Sequence, residues 1–361
     1  MDIEQQWSAL RDAIDFAVSR VVDDDEPLNE REAADGHQYV LRVLRAVSES
    51  ALMTVDPRRP GFLPMLDSVR HLGAAGPDID YDVAILVPGG TYCISGTRGG
   101  ASYVGIAVYA GAGAGGATAI VDSVDVDDLV ADDGTFVHEV HHPDAVRVIV
   151  RQYFHDRTTQ EPGSWTIERT DEPAGRIGGE DGDGGAGSAA LLPTSASVAA
   201  RVANAARSVR WNLQLNQLWT PERRAQSNAF VRQTSDDIVA AVPNPDVLYA
   251  FSWWRITEGE ALVIDVDPPD SRYWAVQLCD RWFQCFPDRR SNLNDRQLVP
   301  EPDGSVRIVV ADGYPGHPNW LDTSGHRVGT IFFRWLHADP DHLPTCRVVA
   351  HDDVAGLAPG A

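Results

Sequence analysis

Lysine is missing from all 361 residues, so the 30 basic side chains are arginines without exception. That absence removes the chemistries that need a side-chain amine: Schiff bases, lysine-bound pyridoxal phosphate, a phosphate-loop lysine and a lysine general base. Cysteine is scarce. The four present, Cys93, Cys279, Cys285 and Cys346, have no Cys-x-x-Cys spacing, which predicts reduced, mostly buried thiols. Positive charge is outweighed, 30 basic residues against 53 acidic ones, for a net charge of -23. Such a chain repels phosphate backbones and anionic lipid, so neither nucleic acid nor a membrane surface is expected as a partner; the same excess acid also serves simply to keep a soluble chain dispersed. No stretch reaches the roughly 20 apolar residues that a membrane-spanning helix needs. The acidic amino terminus lacks the basic-then-apolar order of a secretory signal, and a soluble, cytoplasmic protein is the expectation. There is no Gly-x-Ser-x-Gly elbow, which leaves nucleophilic serine catalysis without local support.

What the chain does have is a duplication. Pro77-Asp78-Ile79-Asp80-Tyr81, Ile94, Tyr103, Asp133-Gly134 and Arg151 recur in order as Pro245-Asp246-Val247-Leu248-Tyr249, Ile264, Tyr273, Asp303-Gly304 and Arg334. The separations drift from 168 (Asp78 to Asp246) through 170 (Ile94, Tyr103, Gly134) to 183 (Arg151 to Arg334). An ordered series of this kind predicts two related units.

Around these landmarks the patterning alternates between helix and strand. Ile3, Trp7, Leu10, Ile14, Val18 and Val21 recur at helical spacing. A second helix is predicted to start at Asn29 as cap, with Glu32 three residues on, and to run through Tyr39, Val40, Val43, Leu44 and Val47. Residues 80–169 change to short β-branched and aromatic runs broken by glycines. Residues 175–188, GRIGGEDGDGGAGS, hold too little apolar surface to fold alone and read as a linker or exposed loop; one irregular alternation of glycine and aspartate does not make a calcium loop. Residues 197–218 return to helical spacing, and Thr220-Pro221-Glu222 opens a further helix. From Asp246 onward the chain is strand-like again. The expected fold class is α+β, mainly β: two related antiparallel β-sandwich (jelly-roll-like) units with helical hairpins packed against them. The expected divisions are helical 1–72, first β unit 73–172, linker 173–190, helical 191–241, second β unit 242–350 and tail 351–361.

Several motifs invite chemistry. His138-Glu139-Val140-His141-His142 fits the zinc-protease pattern, which works only on a helix. Its lead-in favours a strand, on which His138 and His142 stand roughly 13 Å apart, too far to share one ion; no metal is expected. The Pro-Asp-x-x-Tyr elements either close turns or, as Asp246 with Tyr249, form a carboxylate and phenol able to act on one proton. The second copy is the richer, with Trp253 and Arg255 after it, then Asp280 and Arg281, then His317, Asn319 and Trp320. Flat rings and guanidinium groups of this kind line pockets for anions, although most of the ten tryptophans belong to the core. Arg334, repeated as Arg151, is either a buried partner of an aspartate or an anchor for an anion.

Asn244-Pro245-Asp246-Val247-Leu248-Tyr249, Asp280, Asp303-Gly304-Ser305, the Asn319-Trp320-Leu321 loop, Gly325 and Arg334 together resemble the bacterial proteins carrying the domains of unknown function 1254 and 1214. The resemblance spans residues 244–340 and is faint over 78–168. It implies jelly-roll-like β-sandwich units with accessory helices and no settled activity. The first copy departs from the pattern, with Gly76 where the asparagine stands and no Asn-Trp-Leu loop.

Two functional expectations follow. In the first, a small polar or anionic molecule binds in a cleft of the second β unit or between the units, as the substrate of a hydrolase, lyase or isomerase. Asp246 and Tyr249 are then the acid/base pair, and Trp253, Arg255, Asp280, Arg281, His317, Asn319, Trp320 and Arg334 bind the molecule without a cofactor. In the second, the duplicated sandwiches form a non-catalytic binding or assembly protein.

Overall fold

The computed structural model describes residues 2–22, 26–52, 59–66, 72–111, 118–171, 193–214, 219–233, 244–286 and 289–357. The expected linker at 175–188 lies outside them. The described chain is mostly β, arranged as two sandwich-like units.

The first unit contains β1 (Leu63–Leu66), β2 (Ile79–Ile85), β3 (Thr91–Thr97), β4 (Tyr103–Ala110), β5 (Ala119–Asp125), β6 (Thr135–His141), β7 (Ala145–Tyr153) and β8 (Ser164–Arg169). They form a five-stranded sheet of order β1-β2-β7-β4-β5 facing a three-stranded sheet β6-β3-β8. The second contains β9 (Val231–Arg232), β10 (Val247–Arg255), β11 (Glu260–Val266), β12 (Tyr273–Cys279), β13 (Asn292–Asn294), β14 (Val306–Ala311), β15 (Trp320–Asp322), β16 (Val328–Leu336) and β17 (Thr345–Ala350). Its sheets run β9-β10-β16-β12-β13 and β15-β14-β11-β17. Matching β1 to β9, β2 to β10, β7 to β16, β4 to β12 and β5 to β13 gives the same order strand for strand. The smaller sheets match as well, β15 being an addition that pairs in parallel with β14. The duplication seen in the residues is therefore a duplication of topology.

Each sandwich has its own core. Ile106, Val108, Val148 and Val150 point inward in the first, and Ala250, Trp254, Val276, Phe333 and Trp335 in the second. The pleat sends alternate residues to opposite faces, so Tyr249, Phe251 and Trp253 of β10 and Phe332 and Arg334 of β16 face away from that core. All nine residues of β16 are nonetheless buried, because this outer face is covered too. The motif at His138 lies in β6, where His138 Nε2 is 2.9 Å from Asp122 Oδ2 and His141 Nδ1 is 3.1 Å from Thr91 Oγ1.

The helices are α1 (Ile3–Val22), α2 (Glu30–Leu52), α3 (Ser195–Gln214) and the short α4 (Pro221–Ala225). Asn29 caps α2 reciprocally with Glu32: Glu32 N donates to Asn29 Oδ1 at 2.9 Å, and Asn29 N to Glu32 Oε2 at 3.0 Å. The first three helices, drawn from both halves of the chain, share one core with Trp282 of the second unit. In α1 the buried stripe is Ala13, Ala17 and Val21. Trp7 and Val18, expected inside, are 43% and 39% exposed; the small side chains face inward because they let the helices approach closely. Gly36 does the same for α2, since a Cβ there would lie 2.5 Å from Trp282 Cζ2. No helix among the described residues is long and apolar enough to cross a membrane.

Candidate functional site

The outer faces of the two five-stranded sheets meet in a seam built from Ile79, Tyr103 and Tyr153 on one side and Val247, Tyr273, Ala275 and Leu336 on the other. The seam is fastened reciprocally. Tyr103 OH of the first unit donates to Asp246 of the second. Tyr273 OH of the second donates to Asp78 of the first at 3.0 Å. These are the duplicated landmarks exchanged, so the repeats face each other about a pseudo-twofold relation. Asp78 is further held by Asn292 Nδ2 at 2.8 Å and Asn294 Nδ2 at 2.9 Å, whereas Asp246 has His337 Nε2 at 3.7 Å.

Inside the seam lie the two equivalent arginines. Arg334 is 3% exposed. Its Nη2 donates to Gln277 Oε1 at 2.9 Å and reaches Ala74 O at 3.4 Å, while its Nε has no partner. The charge-bearing carbon sits 5.1 Å from the Phe332 ring and 5.9 Å from that of Tyr249. Among the described residues no carboxylate pairs with it. Room for this guanidinium comes from the other unit: a Cβ on Gly76 would stand 2.3 Å from Arg334 Nη1. The glycine that replaces Asn244 in the first copy is thus what admits Arg334 across the seam. Arg151, 4% exposed, donates from Nη2 to Tyr109 OH at 2.8 Å and lies 5.9 Å from the Tyr81 ring.

Tyr81 and Tyr249, equivalent in the repeat, pack half-buried against the seam, and neither hydroxyl makes a hydrogen bond among the described residues. Burial pushes the phenols of Tyr153 and Tyr249 up, and both lie within electrostatic reach of both guanidinium groups. They stay protonated at neutral pH and cannot neutralise Arg334, whose guanidinium is always charged. A buried cation without a counter-charge is costly, and here, among the described residues, it sits beside phenol donors that lack acceptors.

The residues singled out in the sequence do not converge as a group. Tyr249 and Arg334 meet in the seam, with Asp246 fastening its edge; no hydrogen bond joins Asp246 to Tyr249. Trp253 is fully buried in the apolar cluster of Phe251, Phe283 and Phe332. Arg255 pairs with Glu26 at 2.6 Å. Arg281 is bound to Glu32 at 3.1 Å, both 1% exposed. Asp280 accepts from Trp282 N, Gln284 N and Gln284 Nε2 at 2.8 to 3.0 Å. On the far sheet, Asn319 braces a loop through Val299 N, Val299 O and Arg307 O at 2.7 to 2.8 Å. His317 accepts from Asn319 N at 3.2 Å, and Trp320 Nε1 donates to Ala311 O at 3.1 Å. Tyr81, Arg151, Gly76 and Gln277 were not singled out as site residues. The signal for the first two was present: they are the repeat partners of Tyr249 and Arg334, and a pseudo-twofold seam uses both copies.

A family model for proteins of unknown function, DUF1254, matches residues 215–353. A solved structure of an uncharacterised protein from Burkholderia cenocepacia is 28% identical, with a TM-score of 0.84 over 96% of this chain and 97% of its own. A second, from Vibrio parahaemolyticus, is 12% identical with a TM-score of 0.45 over 86% of this chain and 97% of its own. No curated protein matches.

Proposed function

We propose that the protein binds a small anionic molecule in the seam between its β units, with Arg334 as the anchor and the phenols of Tyr81 and Tyr249 as donors beside it. One observation carries this reading: among the described residues, a buried guanidinium with no carboxylate and an unpartnered Nε stands next to two hydroxyls with no acceptor. An anion supplies the missing charge and accepts all three groups of donors, and arginine's planar fork suits a carboxylate or phosphate. Of the two forms weighed from the sequence, binding without turnover gains support from Asp246, whose carboxylate is engaged by Tyr103 rather than set against Tyr249. Should turnover occur, Tyr249 is the proton donor placed for it.

The test is a thermal-shift screen of small carboxylates and inorganic phosphate on wild type, Arg334→Gln and Tyr249→Phe. A ligand present at 100 times its Kd stabilises by about 2.7 kcal/mol, or a few degrees in Tm for a chain of this size. Arg334→Gln is expected to abolish the shift and Tyr249→Phe to reduce it. A wild type that responds to none of these anions, or an Arg334→Gln variant that responds as wild type does, contradicts the assignment.

A further inference from the structure

We infer that the molecule held in the seam is a dianion with an acidic group at each end, one end on Arg334 and the other on Arg151, so that the duplicated sheets each supply one anchor. The inference rests on the anion binding proposed above and adds what the pseudo-twofold arrangement implies about the ligand. Arg151 and Arg334 are equivalent residues on β7 and β16, each the central strand of its five-stranded sheet: β7 lies between β2 and β4, and β16 between β10 and β12. Each guanidinium leans on the tyrosine of its own Pro-Asp-x-x-Tyr element, Arg151 on Tyr81 and Arg334 on Tyr249, at the same 5.9 Å. Both tyrosines pack on one shared cluster, and Tyr153 and Tyr249 each lie within electrostatic reach of both guanidinium groups, so the two anchors approach the same part of the seam from opposite sheets.

A single point-like anion has no need of equivalent anchors on opposite walls. A molecule with two acidic ends engages both, and its second contact forms at the high effective concentration set by the first. Gly76 is specific to this arrangement, because a side chain at that position would occupy the place of Arg334 Nη1. Gln277 fixes the guanidinium from below through its 2.9 Å bond.

The experiment is isothermal titration of the intact protein with succinate and adipate against butyrate and hexanoate, the monocarboxylates of equal carbon number, and with inorganic phosphate. At least one dicarboxylate is expected to bind about 10-fold or more tightly than its monocarboxylate counterpart. Arg151→Gln is expected to erase that preference while leaving the monocarboxylate affinity within about threefold, and Arg334→Gln to weaken both. The wild-type comparison needs no variant, so a misfolded Arg151→Gln does not blunt it. Equal affinities for the paired acids overturn the dianion inference and leave the anion site standing. Phosphate binding more tightly than every dicarboxylate overturns it as well, in favour of one compact anion. Absence of binding by any of the five overturns both proposals.

Discussion

Asp280 and His317 are buried polar residues of the second unit, and burial moves them in opposite directions. Burial raises the Asp280 carboxyl from 3.8 to about 6, against the pull of His326 and its hydrogen bonds. The folded chain therefore holds that proton more tightly than the unfolded one, and its contribution to stability falls as pH rises from about 4 to 6. For His317, burial and then Arg307 lower the ring from 6.5 to about 4; the unfolded chain binds the proton more tightly, so this contribution grows as pH rises from about 4 to 6.5. Each is worth on the order of 3 kcal/mol, and in wild type they offset one another. Relative to wild type, Asp280→Asn is expected to gain Tm as pH rises across that window, and His317→Asn, which keeps an acceptor for Asn319 N, to lose it. Mutant curves parallel to that of wild type would show that neither group titrates as its burial requires. Both residues looked like ligand contacts in the sequence because they are polar and adjoin aromatics. Their roles as internal braces depend on backbone partners that no local pattern reveals.

At the scale of elements, the reciprocal Tyr-Asp fasteners make an asymmetric prediction from a nearly symmetric arrangement. Among the described residues, Tyr103→Phe leaves the Asp246 carboxylate with His337, 3.7 Å away, while Tyr273→Phe leaves Asp78 with the two amides of Asn292 and Asn294. Removing one partner of a hydrogen-bonded carboxylate costs roughly 1 to 3 kcal/mol. In urea unfolding Tyr103→Phe is expected near the upper end of that range and Tyr273→Phe near the lower; the reverse order, or no loss in either, contradicts the described seam. The strands themselves were legible, because the drift of landmarks from 168 to 183 residues tracks one sheet order laid down twice. The capping box at Asn29 and Glu32 was legible too, as local chemistry. The face of α1 was not: periodicity weights Trp7 and Val18, whereas close helix packing selects Ala13 and Ala17. Nor was the common helical layer, since helices from distant parts of the chain were assigned to their own halves.

For the molecule as a whole, the proposed site lies between the units, where the residues alone had favoured the second unit. The richer aromatic content of the second copy, Phe251, Trp253 and Phe332, fills an apolar cluster. The plainer first copy contributes Tyr81, Arg151 and the space at Gly76. In the proposed reading function and fold are coupled through Arg334: the seam that joins the units leaves this cation without a counter-charge among the described residues, a cost that a bound anion would offset. The most direct measurement is a crystal structure of the protein grown with adipate. An adipate lying between Arg334 and Arg151, one carboxylate on each guanidinium and one of them within hydrogen-bond distance of the Tyr249 hydroxyl, is the predicted result. A seam closed without a ligand, with Arg334 paired to a carboxylate of the protein, would contradict it.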